Sequence, residues 1–156
     1  MTDLTTKTPT ELLRLHSDII SELKRRDIVR TQNNPIGDYT EWLVCKCFNL
    51  QIEGNSKAGF DATDSHGLRY QIKGRRSAER SVQFSAIRNL DHDQFDFVVA
   101  VVFNPDYTIR FAVKLSPASV RQLARYQEHV NAHILILTDN HVGSDGVEDI
   151  TRSLET

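Results

Sequence analysis

Three side chains within a short stretch of this sequence suit phosphoryl chemistry. They are Asp61, then Gln71 and Lys73 in the run Tyr70-Gln71-Ile72-Lys73. The stretch GFDATDSHGLRYQIKGRR, residues 59–76, reads as two short strands joined by a turn, with Asp61 leaving the first strand. Residues two apart on a strand point to the same side, so Gln71 and Lys73 share one face while Tyr70 and Ile72 face a core. A carboxylate, an amide oxygen and an ammonium then converge at one end of a hairpin. Packing alone does not call for such a cluster, and burying it is costly unless a metal or substrate compensates. Oxygen donors of this kind suit a divalent ion of the magnesium type, Mg2+ or Mn2+, which keeps several of its waters. Asp61 and Gln71 would supply ligands, with the Ile72 carbonyl as a third. Lys73 sits one pleat away, within reach of the same water or phosphate oxygen.

The elements that must position this cluster follow from capping and periodicity. Thr8-Pro9-Thr10-Glu11 has the form of a capping box with proline at the first helical position, so a helix is expected over about 9–27. Leu12, Leu15, Ile19, Ile20 and Leu23 give it an apolar stripe for packing. Asn34-Pro35 starts a second helix to about Phe48. On that helix Glu41 shares a largely apolar face with Gly37, Val44 and Phe48, so it either reaches solvent at an edge or reaches the Asp61 site from behind. Gly37 is expected to leave room for close approach.

Leu50 to Glu53 reads as a short strand followed by a turn at 54–57, and residues 81–90 fit a strand or a helical turn equally. Phe95 to Phe103 is a valine-rich apolar run, expected as a central strand buried on both faces. Tyr107 to Leu115 alternates and is expected as a half-exposed antiparallel strand, after a turn at Asn104-Pro105-Asp106. Ser116-Pro117 opens a third helix to about Glu128, carrying Arg121, Arg125 and Tyr126 on one side. Ala132 to Thr138 is a further buried strand, and Val147 to Leu154 a closing helix. The expected fold class is therefore α/β, a mixed sheet flanked by helices in a single domain with its core at about 34–138.

The pattern resembles the PD-(D/E)xK nuclease superfamily, with its restriction-endonuclease-like core. The match lies in Asp61, nine intervening residues, Gln71-Ile72-Lys73, and the upstream helical Glu41. The glutamine form, Q-x-K, looks like that of the Mrr-like endonucleases. Phe60 stands where many members have proline, and Gln71 replaces an acid, removing one negative charge. The resemblance implies metal binding by Asp61, Gln71 and Glu41, a catalytic Lys73, and hydrolysis of phosphodiester bonds in nucleic acid, with double-stranded DNA as the expected substrate. It also leaves a homodimer open. The rival readings are a nuclease-fold protein that binds DNA or a protein partner without cutting, and a small interaction module. In the blandest case Asp61 and Asp64 pair around a turn, while Gln71 and Lys73 lie on an exposed edge strand.

Composition bounds these readings. The 156 residues are 39% hydrophobic and 26% charged, enough for one well-buried domain. The net charge of −2 excludes nucleic-acid binding over the whole surface, but Arg69, Lys73, Arg75, Arg76 and Arg80 oppose only Glu79 between positions 69 and 80. Arg69, Arg75, Arg76 and Arg80 are thus candidates for contacts to backbone phosphates. No apolar run approaches a membrane span, and MTDLTTKTPTELL lacks the basic flank and apolar core of a secretory signal. Cys45 and Cys47 project to different helix faces and are not expected to bond each other, which fits a cytoplasmic protein without membrane contact.

Overall fold

The computed structural model describes residues 3–54 and 59–155. Most of the turn expected at 54–57 lies outside the described residues. In chain order the elements are α1 (Pro9–Arg25), α2 (Ile36–Phe48), β1 (Gln51–Ile52), β2 (Ala62–Thr63), β3 (Arg69–Arg76), β4 (Val82–Gln83), β5 (Phe97–Phe103), β6 (Ile109–Leu115), α3 (Pro117–Leu123), β7 (Ala124–Gln127), β8 (Ala132–Leu137), β9 (Val147–Asp149) and α4 (Thr151–Leu154). The fold is mixed α/β. A six-stranded sheet runs β1-β2-β3-β5-β6-β9, and a smaller one runs β4-β8-β7. β3 and β5 are parallel, with Gln71 opposite Val98 and Lys73 opposite Ala100, and the other pairings are antiparallel.

The apolar run of β5 explains the layering. Every residue from Val98 to Phe103 is at most 1% exposed, so both faces of this strand must be covered. Val99, Val101 and Phe103 pack with Leu43 and Val44 of α2 and with Ile150 and Leu154 at the chain's end. Val98, Ala100 and Val102 pack with Phe84, Ile87, Leu135 and Leu137 from the smaller sheet and its lead-in. Side chains of this size contribute roughly 1.5–3 kcal/mol each when buried, so β5 anchors both cores.

α2 is drawn tight onto β3. Asn34 Oδ1 accepts from the Ile36 N–H at 3.1 Å at its start, and Asn49, with φ 52°, closes its end. Thr40 is wholly buried and sits over Gly74 of β3, where an added Cβ would lie 1.9 Å from Thr40 Oγ1. The close approach is therefore made at Gly74. Gly37, expected from sequence to provide it, has nothing within 4 Å of its Cβ position.

Other expectations are corrected. The capping box of α1 forms, Thr8 accepting from the Glu11 N–H and Glu11 from the Thr8 N–H. Of its stripe only Ile20 is buried, while Leu12 and Ile19 are 38% and 51% exposed, so the helix packs chiefly at one point. The third helix stops at Leu123. Residues Ala124–Gln127 instead pair with β8, Arg125 opposite Ile134, and the Tyr126 ring lies against His133, so strand pairing overrides helical continuation. The expected closing helix is split: Val147–Asp149 pairs with β6, and only Thr151–Leu154 is helical. β6 is not half exposed, because the segment carrying Ile150 and Leu154 covers Ala112, and the Ile150 N–H donates to the Ala112 carbonyl at 3.0 Å. The ambiguous segment 81–90 resolves into β4 and a bridge between Ile87 and His133. No helix among the described residues is long and apolar enough to cross a membrane.

Gly74→Ala is expected to destabilise the fold by roughly 1–3 kcal/mol, as overpacking at a tight contact does. Thr40→Ala in the same chain should recover part of that loss. Urea unfolding of the two single variants and the double variant measures the coupling, and additive effects would show that α2 does not rest on Gly74 through Thr40.

Candidate active site

β3 delivers its residues alternately, as its period of two requires. Tyr70 and Ile72 are buried in the core beneath α2, and Gln71 and Lys73 emerge on the opposite face. Asp61 stands at the start of β2 rather than at the exit of a strand. Its N–H donates to the Tyr70 carbonyl and its own carbonyl accepts from the Glu53 N–H, both at 2.8 Å. Those two bonds hold its carboxylate beside β3, where Asp61 Oδ2 accepts from the Ile72 N–H at 2.6 Å and from Gln71 Nε2 at 3.0 Å. Lys73 Nζ donates to Ser85 Oγ at 3.0 Å and to the Ala86 carbonyl at 3.3 Å, in the segment leading from β4 to β5. Glu41 comes in from α2 and is ion-paired with Arg30. Asp64, three residues on, accepts from the His66 and Leu68 N–H groups and serves the turn before β3.

Asp61, Gln71 and Glu41 line one open cleft of about 650 Å³, together with Arg30, Ser85 and Arg88. Lys73 adjoins it through its bond to Ser85. The charges feel one another. Glu41 is pushed up to about 7 from an ordinary 4.5, first by burial and then by the negative charge of Asp61, with Arg30 opposing. Burial likewise raises Asp61, against the Ile72 N–H and the cations Lys73 and Arg30. Burial lowers Lys73, against Asp61 and Glu41. Two carboxylates are thus held where ionisation is disfavoured, which an added cation would relieve.

The donor set fits a hard divalent ion. The described residues hold no group of three or more His, Cys, Asp and Glu side chains suited to a metal. An ion here would rest on the Glu41 and Asp61 carboxylates, with the Gln71 Oε1 and waters completing its shell. A magnesium-type ion tolerates such a shell, whereas zinc would call for histidine or cysteine.

The arginines expected to meet phosphates are dispersed. Arg69 pairs with Asp93 and Asp96 and also donates to the Asp93 carbonyl, so its guanidinium braces the loop before β5. Arg76 stacks over Tyr107 at 4.6 Å and lines a separate apolar groove with Ile20, Leu23 and Tyr39. Arg75 and Arg80 are exposed, Arg75 two residues beyond Lys73 on the same strand face. Arg121 pairs with Asp91, while Arg125 and Tyr126 belong to β7, so these three do not form the single helical side expected of them. Sequence reasoning missed Arg30, Ser85 and Arg88. Arg30 lies in the connection before α2 and the other two in the ambiguous segment 81–90, where no periodicity marks them. Comparison with models of known protein families gives no match, and comparison with curated proteins gives none either.

The Glu41 shift has a consequence for stability. The folded state binds the Glu41 proton more tightly than the unfolded chain does, so stability is lost as pH rises from about 4.5 to about 7. In chelator, Glu41→Gln should therefore melt higher than wild type at pH 8, by roughly 2–4 °C, and the gap should close at pH 4.5. Thermal melts at the two pH values check this. A gap that widens at low pH would reverse the assigned sign.

Proposed function

We propose that this chain is a divalent-metal-dependent nuclease, a DNA endonuclease built on the restriction-endonuclease-like core of the PD-(D/E)xK superfamily in its Q-x-K form. The observation that carries the reading is the meeting of Asp61, Gln71 and Glu41 in one cleft with Lys73 beside them, drawn from three separate elements. A bound Mg2+ or Mn2+ would make hydroxide available near neutral pH and offset the charge growing on the phosphorus. The chain's own contributions are then distinct. Asp61 and Glu41 would hold the ion with Gln71 Oε1, and the backbone N–H of Ile72 keeps the Asp61 carboxylate oriented. The Lys73 ammonium, held at a defined place by Ser85 and Ala86, stabilises negative charge on the attacking water or a non-bridging oxygen. Arg75, Arg80 and Arg88 offer guanidinium groups to backbone phosphates, contacts that position a duplex without reading its sequence.

One observation favours a second reading, a nuclease fold that binds DNA or a partner without cutting. Gln71 carries no charge, and its amide nitrogen is spent on Asp61. The site is thereby one negative charge poorer than an acid at this position would make it, which weakens its hold on a cation.

Cleavage of supercoiled and linear DNA by wild type, Asp61→Ala and Lys73→Ala, with magnesium or manganese, separates the two. The nuclease reading expects wild type to nick or cut and both variants to lose at least ~100-fold, the usual cost of removing a charge-stabilising group. Equal cutting by all three would expose a contaminant. No cutting, with manganese raising the melting temperature of wild type but not of Asp61→Ala, would move the binding reading ahead.

A further inference from the structure

Arg30 is held at its backbone and half exposed at its guanidinium. Its main chain is fixed, because the Arg30 and Thr31 N–H groups both donate to Asp38 Oδ2, at 2.8 and 3.0 Å. Its guanidinium is held differently. It reaches Asp38 Oδ1 at only 3.4 Å, and its close partner is Glu41. The Arg30 side chain is 51% exposed and lines the cleft, whereas Glu41 is 18% exposed. The guanidinium can therefore leave Glu41 without being drawn out of a core, while Glu41 stays where α2 puts it.

The charges in the cleft give that departure a cause. With both carboxylates ionised, Glu41 and Asp61 are balanced by Arg30 and Lys73. A divalent cation arriving at Glu41 and Asp61 would stand beside the Arg30 guanidinium and repel it, and two cations cannot both be well satisfied by one half-enclosed carboxylate. The same ion leaves the cleft with surplus positive charge, which draws in a phosphodiester, and a freed guanidinium is suited to two parallel bonds to phosphate oxygens.

We propose that Arg30 is the resident counter-ion of Glu41, displaced by the divalent cation and thereby released to hold a substrate phosphate. This rests on the metal-binding reading given above. Arg30 thus opposes metal binding in the free protein and supports nucleic-acid binding in the loaded one, a coupling that makes each ligand favour the other.

Two measurements test it on the full chain, with wild type, Arg30→Met and Arg30→Lys checked first for equal thermal melting in chelator. Titration calorimetry with manganese chloride should show Arg30→Met binding the ion about fivefold more tightly than wild type, the factor expected when a competing half-exposed ion pair is removed. Arg30→Lys, which keeps the charge, should stay near wild type. Binding of a duplex of about 20 base pairs across a range of salt concentrations, with calcium or with chelator, supplies the second readout. With calcium the salt slope of Arg30→Met should fall below that of wild type by about 0.9, one phosphate contact, and in chelator the slopes should coincide. Manganese binding no tighter in Arg30→Met than in wild type overturns the proposal, as do equal slopes in calcium. If wild type itself takes up no manganese and matches Asp61→Ala in the titration, the metal-binding reading falls and this one with it.

Discussion

The contact on which the site depends is the seating of α2 on β3 through Thr40 and Gly74. A helix is normally held off a sheet by the close-packed side chains that fill the space between them. Here one position of the sheet has no side chain, and the buried Thr40 occupies that place. The next residue along α2 is Glu41. The absence of a Cβ at Gly74 therefore lets α2 carry Glu41 down to the cleft, where burial first, and then the charge of Asp61, pushes its carboxyl up to about 7.

From that contact the other features follow in order. β3 is gripped between β2 and β5, buried from Val98 onward, so its register is fixed on both edges. A slip of one residue would turn Gln71 and Lys73 into the core and Tyr70 and Ile72 into the cleft, which the packing of both layers forbids. Asp61 is tied to the same strand by backbone bonds to Tyr70 and by its own side chain to Ile72. Lys73 is tied to the segment that crosses from β4, itself fastened to β8. The cleft is thus assembled from parts that are each anchored elsewhere, and the arginine before α2 has a fixed base and a half-exposed guanidinium.

The groups in this cleft are unfavourable for stability taken alone. Burial opposes the ionised forms of Asp61, Glu41 and Lys73 alike, and no apolar contact requires them to meet. Structures tolerate such clusters where strain serves a function. This is the physical ground for taking the cleft, rather than the apolar groove beside α1, as the candidate site. That groove is walled mainly by Ile19, Ile20, Leu23 and Tyr39, with His16 and Arg76 also lining it, and no carboxylate faces it among the described residues.

By itself the sequence determined what short-range chemistry dictates. The threonine before α1 and the proline that opens it placed its start, the valine run placed the doubly buried β5, and the alternation Tyr70-Gln71-Ile72-Lys73 told which side chains share a face. It also singled out Asp61, Gln71 and Lys73, because such a polar cluster at strand spacing has no packing purpose, while Glu41 stood open between a solvent edge and the site and joined the set only through the resemblance to the PD-(D/E)xK pattern. Only the tertiary structure decided the rest. Residues 124–127 became a strand because β8 offered them an edge, which local propensity does not encode. Ala112 became buried because the segment after β9 folds back over it. Gly74 rather than Gly37 proved to be the close contact, since a glycine's use depends on what lies opposite. Arg30 entered the site across eleven positions of chain, through an ion pair that no periodicity announces. Arg69 was claimed by Asp93 and Asp96 for the same reason: pairings between charges distant in sequence are set by the path of the chain in space.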